Sequence, residues 1–121
     1  MPLSKSEEQL IKHLWRHGPA FLAELIEVLP EPRPAKTTVS TLLKRMIDKQ
    51  MVGYKTYGNS RQYYALVSKQ AYFGRKLRGM IDDFFDASPT AFASLFAAET
   101  EMTADQLREL QRIIDEKLEE Q

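Results

Sequence analysis

Cysteine is absent from the 121 residues, which removes disulfides and thiolate metal sites from consideration. No apolar run approaches the length of about eighteen residues that a membrane-spanning helix requires, so no membrane partner is expected. The first residues carry no basic stretch followed by an apolar one, so no secretion signal is expected and the expected compartment is the cytoplasm. Glycine is sparse. The five glycines are scattered and build no phosphate-binding loop. A Gly-x-Ser-x-Gly elbow is lacking too. No catalytic apparatus and no cofactor is expected, so the chain does not read as an enzyme.

Net charge is also zero, but the balance conceals an asymmetry. Residues 1–67 hold ten Lys/Arg against six Asp/Glu, whereas residues 68–121 hold seven against eleven. Within residues 33–64 there are seven basic residues and one acid, Asp48. A basic N-terminal part suits a polyanion, and an acidic C-terminal part would be repelled by one. The chain is therefore expected to comprise a DNA-binding domain over 1–67 and a separate helical region over 68–121.

The stretch AKTTVSTLLKRMIDK, residues 35–49, is central. Val39, Leu42, Leu43, Met46 and Ile47 recur with the repeat of one buried helix face. Lys36, Thr37, Thr38, Ser40, Thr41, Lys44 and Arg45 supply hydroxyls and cations suited to phosphates and base edges in a major groove. The bland alternative is a solvated polar face. Two helices precede it. Ser4 and Glu7 have capping-box spacing ahead of Leu10, Ile11, Leu14 and Trp15. A shorter helix through Phe21, Leu22, Leu25, Ile26 and Leu29 stops at Pro30, Pro32 and Pro34. After Met51 the period changes to two, and Gly58-Asn59 stands where a hairpin turn belongs, both residues tolerating positive φ. Helix, helix, helix and hairpin make a winged helix-turn-helix, with Lys55 and Arg61 flanking the wing tip.

Beyond Ser68 the apolar pattern is helical again. Phe73, Leu77, Met80, Ile81 and Phe84 share one spacing, Phe92, Leu95 and Phe96 a second, and Leu107, Leu110 and Ile114 a third. Ser88-Pro89 opens one of these helices and Thr103 with Gln106 another, while Glu116 to Gln121 is expected to fray. About fifty residues cannot bury so many large side chains alone, so a two-fold contact with a second copy is expected. The fold class is thus mainly α with a small β-hairpin: a winged helix-turn-helix domain plus a C-terminal helical dimerisation region.

The residues resemble the penicillinase and methicillin-resistance repressor family over nearly the whole chain. LSKSEEQLIKHLW resembles its N-terminal pattern, TTVSTLLKRMIDKQMV its recognition helix, YKTYGNSRQYYALVS its wing and TEMTADQLRELQRIIDE its last helix. The resemblance implies a homodimer that represses transcription at palindromic double-stranded operator DNA, in antibiotic resistance. It also implies relief by cleavage in the C-terminal part, triggered by a sensor-transducer metalloprotease. The family's asparagine–phenylalanine cut corresponds here to Leu95-Phe96, so only the phenylalanine is kept. Its helix-ending glycine is Gln50 here, and the paired tail cysteines of copper-responsive relatives are missing.

Other groupings have plainer readings. His13 and His17 lack a third ligand and read as helix-surface residues. Asp82, Asp83 and Asp86 read as a solvated helix side, and the tyrosines of the hairpin mostly as packing. The alternative function, of a different class, is a winged-helix protein-interaction module without DNA binding.

Overall fold

The computed structural model describes residues 2–121, and the chain divides into two compact units, Met1–Arg75 and Lys76–Gln121. In the first unit, α1 spans Lys5–His17 and begins with a reciprocal capping box. The Ser4 N–H donates to the Glu7 carboxylate at 2.8 Å while the Glu7 N–H donates to the Ser4 hydroxyl. Gly18, at φ 84°, ends the helix, and its N–H donates to the Leu14 carbonyl. There follow β1 (Ala20–Phe21), α2 (Leu22–Val28), α3 (Lys36–Asp48), β2 (Val52–Tyr57) and β3 (Ser60–Ala65).

The wing has one strand more than expected. The extended pair Ala20–Phe21 joins β3, giving a three-stranded antiparallel sheet in the order β1-β3-β2. A two-residue segment shows no period of its own; it becomes a strand only because β3 offers it a free edge. In the turn, Gly58 takes a φ of 60° and Asn59 stays at negative φ. Only the first of the two central residues needs left-handed freedom, the pattern of a type II′ hairpin.

Val39, Leu43 and Met46 of α3 are wholly buried against Leu10, Ile11 and Leu25, while Leu42 and Ile47, expected on the same face, are half-buried. Trp15 is half-buried and ties α1 to the end of the wing: its indole N–H donates to the Val67 carbonyl at 2.8 Å. Where α3 ends, the Gln50 N–H bonds the Ile47 carbonyl and the Met51 N–H bonds the Met46 carbonyl. This is a Schellman motif, with buried Met51 and Met46 as its apolar contact. Its left-handed residue is Gln50, at φ 61°, where a glycine would sit without strain.

One charged residue lies in this core. Glu7 is 2% exposed. The Lys49 ammonium, one residue past α3, donates to both its oxygens at 3.0 and 3.2 Å and to the Pro2 carbonyl. Burial pushes the carboxyl pKa up, but hydrogen bonds from Ser4 and Lys49 outweigh that and hold it below the ordinary 4.5.

Helix α4 spans Lys69–Phe84, and its first turns, through Arg75, belong to the first unit. Helices α5 (Pro89–Glu99) and α6 (Ala104–Glu119) open on Ser88 and on the Thr103–Gln106 capping box. Between α4 and α5, Asp86 and Ala87 both adopt positive φ, 51° and 58°, at a cost of about 1 kcal/mol each for residues with a Cβ. The C-terminal residues from Glu116, expected to fray, are helical as far as Glu119. Helix α6 runs through Glu119, with Arg112 paired to Glu109 and Glu116, and Lys117 paired to Glu120. Among the described residues no helix is long and apolar enough to cross a membrane.

Two stability effects follow. Gln50→Gly should stabilise the protein by about 0.5–1 kcal/mol in urea denaturation, by removing left-handed strain. Glu7→Gln should destabilise it by about 2 kcal/mol at neutral pH, because Lys49 loses its counter-ion. The Glu7 pKa is depressed on folding, so its contribution is complete above about 4.5 and is lost as pH falls through the lower folded-state value. The two proteins' stabilities should therefore converge in acid.

Candidate nucleic-acid interface

Burying Val39, Leu43 and Met46 sets the rotation of α3 and turns its other side out. Lys36, Thr37, Thr38, Thr41, Lys44 and Arg45 are exposed, and Ser40 is half-buried. The Thr41 hydroxyl donates to the Thr37 carbonyl at 2.9 Å, so its hydrogen is used within the helix. What Thr41 presents outward is an acceptor lone pair and a methyl group, which fit an exocyclic amine or a thymine methyl.

The structure sorts the seven cations of residues 33–64 into two sets. Arg33 is paired with Glu31 and Glu27, and Lys49 with Glu7. Among the described residues, Lys36, Lys44, Arg45, Lys55 and Arg61 have no carboxylate partner, which leaves them for an anion from outside. Arg61 is not loose, however. Its guanidinium lies 4.3 Å from the centroid of the Tyr54 ring. In the hairpin register Thr56 pairs with Arg61 and Tyr54 with Tyr63, so Tyr54 and Arg61 stand diagonally on one face of the wing.

That face and α3 border a single groove of about 930 Å³. It gathers Lys36, Ser40, Thr41 and Lys44 from the helix and Tyr54 and Arg61 from the wing. Thr37, Thr38, Arg45 and Lys55 do not line it. The groove therefore joins the helix and the wing, with Lys36, Ser40, Thr41 and Lys44 beside Ile47 and Asp48 on one wall and a stacked arginine on the other. Tyr54, read from the sequence with the other hairpin tyrosines mostly as packing, lines this groove beside Arg61. Its signal was the hairpin register: once the Gly58 turn is fixed, Tyr54 must fall beside Arg61. Of the remaining wing tyrosines, Tyr63 is buried and Tyr57 is half exposed, touching Phe21 edge-on.

The other sequence-predicted positions fall elsewhere. Phe73 lies in the first unit against Trp15 and Tyr72. In the second unit, Leu77, Met80, Phe84, Leu95, Phe96, Leu107 and Ile114 are exposed, and Ile81, Phe92 and Leu110 are half-buried. Leu95 and Phe96 sit within α5, the Phe96 ring stacked on Phe92. His13 bonds Glu24 of α2, and no group of three His, Cys, Asp or Glu suited to a metal occurs among the described residues.

Three helices followed by a β-wing, with a cation- and hydroxyl-bearing third helix, define a winged helix-turn-helix protein of the DNA-binding kind. The penicillinase repressor family model matches residues 3–116, and the chain belongs to that family. It is a transcriptional repressor that binds DNA, a regulator and not an enzyme. Among solved structures, a transcriptional regulator from Thermotoga maritima is similar to it at 17% identity, over 95% of this chain and 78% of that one, with a TM-score of 0.49. No curated protein matches the chain.

If Tyr54 holds Arg61 in place for DNA, Tyr54→Leu should weaken duplex binding by about two- to fivefold, the worth of a half-exposed cation–π contact. Tyr54→Phe, which keeps the ring, should bind as the parent does. Fluorescence anisotropy on a labelled duplex reads both.

Proposed function

We propose that two copies of the chain act together as a sequence-reading repressor, each laying α3 in a major groove and its wing along the neighbouring backbone. The observation that carries this is the shared groove: unpaired Lys36 and Lys44, with Ser40 and Thr41, face Arg61 of the wing across one cleft. A sugar-phosphate strand is the polyanion that fits such a cleft when a helix on one side enters the duplex. Thr37, Thr38, Thr41 and Arg45 take the base edges and nearby phosphates, while Lys36, Lys44, Lys55 and Arg61 neutralise charge.

Residues 76–121 are the two-fold contact. Support comes from their burial: no residue from Phe73 to Gln121 is buried, and Phe84 is 80% exposed. Helices that only half-bury Ile81, Phe92 and Leu110 among themselves need a second apolar surface, and an identical copy supplies one. Repression is relieved by cleavage at Leu95-Phe96, triggered by a sensor-transducer metalloprotease. Both residues are exposed on α5, and a cut there would sever α6 and weaken the dimer.

Selecting bound sequences from a random DNA pool tests the reading. The expected product is a palindrome with half-sites about one helical turn, or a multiple of it, apart. On that site Arg45→Ala should cost about 1–3 kcal/mol, with a smaller loss on random DNA, if Arg45 reads a base. Single unpaired half-sites would sink the dimer, and no enrichment would sink sequence reading altogether.

A further inference from the structure

A second groove, of about 510 Å³, lies where the first turns of α4 meet α1, wholly within the first unit. It shares no residue with the cleft between α3 and the wing. Glu8, Lys12, Trp15 and Arg16 fall on one face of α1 by their spacing, and Lys69, Tyr72 and Phe73 on one face of α4. The floor is aromatic: the Trp15 ring is 5.9 Å from both Tyr72 and Phe73, and those two rings meet edge-on at 5.2 Å. Phe73 remains 40% exposed.

The rim is cationic. Among the described residues Lys12, Arg16 and Lys69 have no carboxylate partner. The one acid in the groove, Glu8, accepts a hydrogen bond from the Tyr72 hydroxyl at 2.7 Å and is thereby turned toward α4. Three cations over an aromatic floor, in a space of small-molecule size, describe a ligand with two parts. One is a carboxylate, for the ammonium and guanidinium groups. The other is a flat apolar ring, for the exposed part of Phe73 and the half-buried Trp15 beside it.

We propose that this groove binds small aromatic carboxylates, apart from the DNA-binding face. A duplex backbone would use the same cations but would have no use for the ring floor. The site also carries its own reporter, because Trp15 is the chain's single tryptophan.

The test is a fluorescence titration of the full chain with benzoate, selectively exciting Trp15. Acetate (charge without ring) and benzamide (ring without charge) serve as controls. A saturable change with benzoate is expected, with a Kd on the order of 1 mM for so small a ligand. Both controls should bind at least tenfold more weakly. Lys12→Gln and Lys69→Gln should each weaken benzoate by about fivefold, the loss of one charge-assisted contact. Lys36→Gln, in the other cleft, should leave the Kd unchanged. A response that does not saturate, equal binding of benzamide, or indifference to the Lys12 and Lys69 changes would overturn the proposal. It also falls if a random-sequence duplex produces the same Trp15 change and Lys12→Gln and Lys69→Gln weaken that duplex alone, for the cations would then be backbone contacts.

Discussion

Val39, Leu43 and Met46 are wholly out of water, and all three project from one side of α3. A helix is rigid about its own axis, so burying that stripe fixes the direction of every other side chain on it. The threonines and cations are turned outward by apolar contacts on the far side of the helix, with no help from a ligand. Transfer of these three side chains from water, about 1.5–3 kcal/mol each, is large beside any single contact their polar neighbours make with each other. The interface is pre-set by the core, which spares the protein the cost of ordering it on binding.

The ends of α3 extend the same constraint to the wing. The Schellman turn at Gln50 and Met51 carries the chain from helix into strand, and Met51 secures it from inside the core. At the same end, Lys49 reaches back to Glu7 in the first turn of α1. The N-terminus of one helix and the C-terminus of another are thus joined by a part-buried charge pair.

The two basic grooves of the first unit differ in what surrounds their cations. Between α3 and the wing, Lys36 and Lys44 stand with hydroxyls, Asp48 and a stacked arginine along a cleft that Leu22, Ile26 and Ile47 also line. Between α1 and α4, they stand over three aromatic rings. Pairing explains why charge counts alone could not separate these roles: Arg33 and Lys49 count as cations like Lys36 and Lys44, yet they are already occupied by carboxylates.

Much of the fold was legible in residues read one after another. The capping boxes at Ser4–Glu7 and Thr103–Gln106, the Ser88-Pro89 start of α5 and the Gly58 turn are local devices, acting between residues a few positions apart, and each is present where its spacing indicated. The outward face of α3 was legible for the same reason, since helical period is local. Contacts between distant residues were not. Ala20–Phe21 became a strand only because β3 lay open beside it, and Lys49 found Glu7 across 42 positions. Sequence alone determined which elements form and which of their faces are apolar, because propensity, capping and periodicity are settled within a few turns of chain. The tertiary structure decided which cations stay unpaired and which side chains share a groove, because charge pairing and enclosure depend on neighbours that only folding brings together.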